Sequence, residues 1–255
     1  MPGDTLRASC HPGTTVGVVA ALSAEGRCLT AHYTQPGIIE RLPSGTLLWI
    51  AGIGPELAMW AAHALIDAHC TALVSWGIAG ALNPELSPGS VVVPSRVITA
   101  SGAVYAVEPS WRQRIVDICH RWVPVVEGEL ICSDRVISTV TDKTALWRHS
   151  GATAVDMESA AVAAVAAEAG VPFLTIRAVA DLADETLPAF LLRSLNPWGQ
   201  PRIMPLAAGL LRCHLTDLGM LWQLSQHFRA ARRALTVVAT QLGAGFLAPE
   251  QHADC

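Results

Sequence analysis

Apolar runs of strand length alternate with helical stretches along the chain. Residues 15–22 (TVGVVAAL) predict a first buried strand and 46–51 (TLLWIA) a second. The second runs into Gly52-Ile53-Gly54 and then a helix over 55–68. Residues 71–76 (TALVSW) predict a third strand, and 90–94 and 97–99 supply shorter ones. Near-continuous Val, Ile and Leu runs joined by helices imply strands buried on both faces, hence a mainly parallel α/β sheet. The clearest unit comes late. A short strand over 152–155 leads to an alanine-rich helix over 159–169, with Gly170 placed to end it and Pro172 to block its continuation. The next strand covers 173–180 (FLTIRAVA). Beyond Asp181 the pattern loosens into a proline-rich excursion over 185–205, expected to be a lid or binding segment. A last helix runs from about 206 to 242, broken near Gly219. The expectation is one domain over 1–255, with 1–14 as a flexible tail.

Composition sharpens this picture. Hydrophobic residues make up 51% of the chain and charged ones 15%, against about 25% charged in ordinary globular domains. Disorder is excluded, because such a chain buries ample apolar surface. A net charge of −4 without a basic stripe argues against nucleic acid as partner. The central charge-free run, 68–84, holds a histidine, an asparagine, a proline and two glycines, and is short of the roughly 20 apolar residues of a spanning helix. No signal-peptide pattern opens the chain, so a cytoplasmic location is expected. Seven scattered cysteines support neither a disulfide framework nor a zinc site.

Gly52-Ile53-Gly54 imitates a dinucleotide fingerprint, but Leu57 stands where the third small residue belongs. A tight strand-to-helix turn is the preferred reading. Carboxylates stand out by position instead. Glu25 lies beyond the first strand, Asp156 and Glu158 beyond the 152–155 strand, and Asp181 beyond the 173–180 strand. Ligands of open parallel sheets bind outside the carboxyl ends of the strands, so these acids could share one crevice. Each also has a plainer reading: Glu25 or Glu158 as a helix cap, Asp181 as an N-cap. Glu158 has no local basic partner to explain it. Paired carboxylates around a sugar are equipment for cleaving a glycosidic bond.

The motif Val155-Asp156-Met157-Glu158-Ser159-Ala160, the strand ending at Asp181 and Gly77-Ile78-Ala79-Gly80 resemble the purine nucleoside phosphorylase/nucleosidase superfamily, over residues 16–184. Among its branches the chain is similar to methylthioadenosine/S-adenosylhomocysteine nucleosidases. It is more similar still to the hopanoid-associated phosphorylases, on the Asp-Met-Glu-Ser form, Leu187-Pro188 and the segment 196–202 (NPWGQPR). The resemblance implies a three-layer α/β/α fold around a mixed, partly closed central sheet. It implies release of adenine from a nucleoside with an apolar 5′ substituent, such as adenosylhopane, by a homodimer; peripheral contact with a membrane is left open by the sequence.

The same resemblance distributes roles. Asp181 would protonate purine N7, Glu158 would bind the ribose hydroxyls, and Glu25 would position the attacking water. Met157 would pack under the sugar, Val136 and Ile137 would line the base pocket, and backbone near Ala79 and Gly80 would face sugar and nucleophile. Phe190 and Trp198 would wall the 5′ end, unless they are ordinary core residues. No metal or organic cofactor is implied; phosphate is the one co-substrate in question. Ser75 and Glu25 stand where hexameric phosphorylases carry arginines, which favours water; Arg27 and Arg96 are the alternative phosphate ligands. Ala180 replaces the serine that nucleosidases carry beside the acid. An ordinary methylthioadenosine/S-adenosylhomocysteine nucleosidase and a non-catalytic nucleoside- or lipid-binding protein remain the alternatives.

Overall fold

The computed structural model describes residues 14–30, 32, 35–188, 190, 196, 198, 215–243 and 246, with only the backbone of 215–218. The expected N-terminal tail and most of the 185–205 excursion lie outside the described residues. In chain order the elements are β1 (Val16–Ala20), α1 (Ser23–Gly26), β2 (Ile39–Arg41), β3 (Leu47–Ile50), α2 (Pro55–Asp67) and β4 (Ala72–Ala81). β5 (Val91–Val92), β6 (Arg96–Thr99), β7 (Val104–Ala106), α3 (Pro109–Cys119), β8 (Val125–Val126) and β9 (Glu129–Cys132) follow. α4 (Val140–Ser150), β10 (Ala154–Asp156), α5 (Ser159–Ala169), β11 (Phe173–Asp181) and α6 (Leu215–Leu242) complete the series.

All the strands join one mixed sheet, organised by β4. The first half of β4 pairs in parallel with β1 (Val16 to Ala72 through Ala20 to Trp76), while its end pairs antiparallel with β10 (Val155 to Gly80). Its other side carries β11 in parallel along nearly its whole length. From these the sheet extends through β3 and β2 one way and through β9, β6 and β7 the other, with β5 and β8 beyond β11. The sheet does not close: β2, β7 and β8 are open edges among the described strands. The expected partial closure is therefore absent from a fold that is otherwise the three-layer, mixed α/β arrangement. β4 also outruns the expected end at Trp76 by five residues, taking Gly77-Ile78-Ala79-Gly80 into the sheet.

Packing explains the composition. β1 and β3 are buried at every position, and β11 at all but its last. Alanines of α5 bring its axis close to α2, whose Ala58, Ala61, Ala62 and Leu65 face inward. On β11 rests α6, inserting Ala231, Ala234, Leu235 and Val238, with α3 beside it. α5 ends at Gly170 in the left-handed conformation, as expected. α6 is continuous through Gly219 rather than broken there: one glycine costs only about 1 kcal/mol in a helix, and the packed C-terminal half supports the rest. No helix among the described residues is long and apolar enough to cross a membrane.

Candidate active site

The carboxyl ends of β1, β4, β10 and β11 surround a cavity of about 210 Å³. Glu25, Glu158, Asp181, Met157, Ala79, Gly80, Val136 and Ile137 all line it. Phe190 and Trp198 do not: Phe190 is half-buried, Trp198 is exposed, and Leu187 stands in the wall instead. Trp198 is held locally, its backbone N donating to Asn196 Oδ1 at 3.0 Å.

Glu25 sits in the single turn of α1, 2% exposed. Its Oε2 accepts from the backbone N of Leu22 (2.8 Å), capping that turn, and its Oε1 accepts from the backbone N of Ile78 (2.9 Å). The helix-cap reading therefore holds, and the same carboxylate also borders the cavity. Burial raises its pKa, while Arg177 and the backbone donors oppose the rise. Gly77 makes room: a Cβ there would lie 2.5 Å from Glu25 Oε1 and 2.7 Å from Arg177 Nη1.

Glu158 opens α5 without capping it, and its Oε1 accepts from the backbone N of Gly54 at 2.9 Å. That gives the Gly52-Ile53-Gly54 turn its purpose. Gly54 has φ +111°, a conformation that excludes side chains, and the amide so presented orients the acid. Burial, then the neighbouring Asp156, pushes the Glu158 carboxyl up to about 7. Asp156 is itself ion-paired. Its Oδ2 accepts from Arg177 Nε (2.7 Å) and from Ser159 Oγ, and Arg177 Nη2 continues to Ser75 Oγ (2.6 Å) and Ser159 Oγ (3.0 Å). Arg177 lies wholly inside an apolar strand, where an unpaired charge would be prohibitive, so the pair is obligatory.

Asp181 ends β11 just past an irregularity in its pairing with β4, between Val179 and Asp181. The extra residue re-aims the carboxylate, as bulges do beside active sites. Gly80 lies directly beneath, where a Cβ would stand 3.0 Å from Asp181 Oδ2. That oxygen pairs with Lys143 Nζ of α4 at 2.5 Å, and Lys143 is 0% exposed. Burial nonetheless holds the Asp181 carboxyl above the usual carboxylate range, with Lys143 opposing.

The phosphorylase superfamily profile matches residues 13–211. The chain belongs to the phosphorylase superfamily. Among curated relatives, the 5′-methylthioadenosine/S-adenosylhomocysteine nucleosidase of Shewanella oneidensis is 31% identical over 68% of this chain and 86% of its own. The futalosine hydrolase of Streptomyces coelicolor is 31% identical over 58% and 72%. Among solved structures, the Neisseria meningitidis nucleosidase in complex with methylthio-immucillin-A aligns with a TM-score of 0.65 at 18% identity, covering 92% of this chain and 98% of that one. Futalosine hydrolase of Helicobacter pylori aligns equally well, at 16% identity over 92% and 97%.

As a superfamily member the chain is an enzyme of the nucleosidase and phosphorylase kind, and membership leaves water and phosphate both open as nucleophile. The alternative phosphate ligands are not at the cavity: Arg27 is exposed, and Arg96 pairs with Glu129 on the surface. Among the described lining residues only Arg135, exposed at the rim, is cationic, against four acids. No group of three or more described His, Cys, Asp or Glu residues is placed to hold a metal. Sequence reasoning missed two buried cations. Arg177 had a signal, a charge inside the strand run FLTIRAVA that demands a buried acid. Lys143 had none in its helix.

Proposed function

We propose that this superfamily member hydrolyses the N-glycosidic bond of an adenine nucleoside carrying an apolar 5′ substituent. The observation behind this reading is three carboxylates, buried Glu158 and Glu25 and half-buried Asp181, around one cavity whose described lining offers a single exposed cation. A phosphate dianion would meet that acid excess unfavourably; water meets no such barrier. Asp181, whose pKa burial raises, donates its proton to purine N7 as the C1′–N9 bond breaks. Ionised Glu158 accepts from the ribose 2′- and 3′-hydroxyls, with Met157 under the ring and Val136 and Ile137 beside the base. Glu25 takes a proton from the water that attacks C1′, next to the Ala79–Gly80 backbone. Arg177 compensates the charge on Asp156, leaving Glu25 and Glu158 to the substrate. No cofactor enters this scheme.

Leu22, Ile53, Ile78 and Leu187 make the lining apolar beyond the acids, which supports a hydrophobic 5′ group; adenosylhopane of hopanoid biosynthesis is the candidate. A 5′-methylthioadenosine/S-adenosylhomocysteine nucleosidase is the second reading, supported by the relatives of that name. The chain is further proposed to act as a homodimer. Chromatography of adenosylhopane, 5′-methylthioadenosine and S-adenosylhomocysteine reactions, with and without phosphate, tests all of this. Free adenine and free sugar at a phosphate-independent rate are expected. A sugar 1-phosphate product would replace hydrolysis with phosphorolysis, and turnover of 5′-methylthioadenosine alone would favour the second reading. Asp181→Asn should lower kcat by about 10²- to 10⁴-fold with the fold intact; an undiminished rate would remove Asp181 as the acid, whereas no activity in either protein would leave a nucleoside-binding protein.

A further inference from the structure

Of the 17 lysine and arginine residues, Lys143 is the only lysine, and it is completely buried. Its Nζ donates to Asp181 Oδ2 (2.5 Å), to the carbonyl of Leu182 (2.6 Å) and to the carbonyl of Glu185 (3.0 Å), so all three ammonium protons are used. Two of those acceptors belong to the segment that follows the acid. The segment is tied down again by the Glu185 carboxylate, which accepts from the backbone N of Leu182 (3.0 Å) and from Gln223 Nε2 (2.9 Å) and meets His227 Nδ1 (3.1 Å) on α6. Asp181 Oδ1 accepts no hydrogen bond among the described residues, and the side chain borders the cavity.

We propose that Lys143 is the positioning residue of Asp181: it engages Oδ2 permanently, so that Oδ1 alone carries the proton given to the base. This rests on the reading of Asp181 as the acid. In the step, the Oδ1–H bond breaks as the proton passes to purine nitrogen, and the electron pair left on Asp181 is balanced by the ammonium already in place. The proton is recovered from the attacking water through Glu25 and solvent. Three acceptors gathered about one nitrogen suit an ammonium, whereas the planar guanidinium directs its donors in a fork; this explains lysine in a chain that otherwise uses arginine.

The charged groups bearing on Asp181 are Lys143 from α4, Glu185 from the following segment and His227 from α6. Removing the ammonium while keeping the other two should make the acid hold its proton to higher pH and release it less readily. In 5′-methylthioadenosine hydrolysis, Lys143→Met should lower kcat about 10²-fold with KM within about threefold. The basic limb of its pH profile should move up by about one unit. Lys143→Arg retains the cation but not its geometry, so the limb should stay in place while kcat remains low. A limb unmoved in Lys143→Met, or full activity in Lys143→Arg, would overturn the proposal while Asp181→Asn independently tests the acid. Should Lys143→Met not fold, the wild-type enzyme decides. With ζ-¹⁵N-lysine it gives one side-chain resonance, expected to titrate at the pH of the basic limb and to lose that step in Asp181→Asn. A resonance indifferent to that titration would refute the coupling.

Discussion

Glu158 shows how a buried carboxylate at the cavity opposes stability. It is held by one backbone amide, buried beside Asp156, and its pKa is raised from 4.5 to about 7. A carboxyl whose folded pKa exceeds its unfolded value favours the fold fully below pH 4.5 and loses that contribution as pH climbs through about 7. Glu158→Gln keeps an oxygen for the Gly54 amide but cannot ionise. Its Tm should therefore exceed wild type more at pH 8 than at pH 5, by an amount on the order of a few kcal/mol in stability. Equal Tm differences at the two pH values would show that Glu158 does not titrate in this window. Activity should fall at pH 8, where the proposed anionic acceptor of the ribose hydroxyls is lost. The three acids were legible because each follows a strand in sequence, and parallel strands end together. Arg177, signalled only by its place inside an apolar strand, was not read, and Lys143 carried no signal, because its partner is supplied only by the tertiary fold.

β4 carries the site as an element. By changing neighbours halfway, from β1 to β10, it brings the Glu25 turn, the Met157–Glu158 segment and the Asp181 strand end around one point. Its glycines are spaced to meet them, Gly77 against Glu25 and Arg177 and Gly80 against Asp181. Gly77→Ala would force a methyl within 2.5 Å of Glu25 Oε1, so the carboxylate or the strand must shift. Loss of kcat by at least about 10²-fold is expected, since small displacements of reacting groups carry penalties of that size. A crystal structure of the variant should show Glu25 displaced from the Ile78 amide; wild-type activity would mean that this geometry does not matter. Such features explain what the pattern of apolar runs conveyed. The strongly apolar β1, β3 and β11 and the alanine helix α5 were read nearly to the residue. The continuation of β4 past Trp76 was not, because two glycines mimic a turn until their cross-strand acids are seen. Short strands such as β8 owe their form to the sheet around them, and α3 and α4 begin at caps, Glu108 and Thr139.

At the scale of the molecule, strands buried on both faces account for much of the excess of apolar over charged residues, yet some apolar area stays outside. On α2, Leu57, Met59 and Trp60 are exposed, Trp60 by 70%, and Trp60 stands edge-on to Trp49 at 6.2 Å between centroids. The helix begins two residues after Ile53, which lines the cavity. An exposed apolar patch that includes an aromatic ring is the composition found at the centre of protein interfaces. If the proposed homodimer uses this face, Trp60→Glu should bury a charge in it and weaken association by about thirtyfold or more, the equivalent of 2 kcal/mol at one hot spot. Analytical ultracentrifugation over a concentration series would read this as a shift from dimer to monomer, with the Tm measured in dilute monomer unchanged. A dimer of undiminished strength would place the interface elsewhere. Because α2 begins two residues after Ile53 of the cavity, dissociation should also raise KM for substrates with long apolar 5′ groups more than for 5′-methylthioadenosine, a comparison that separates a face that completes the site from one that merely holds two sites together.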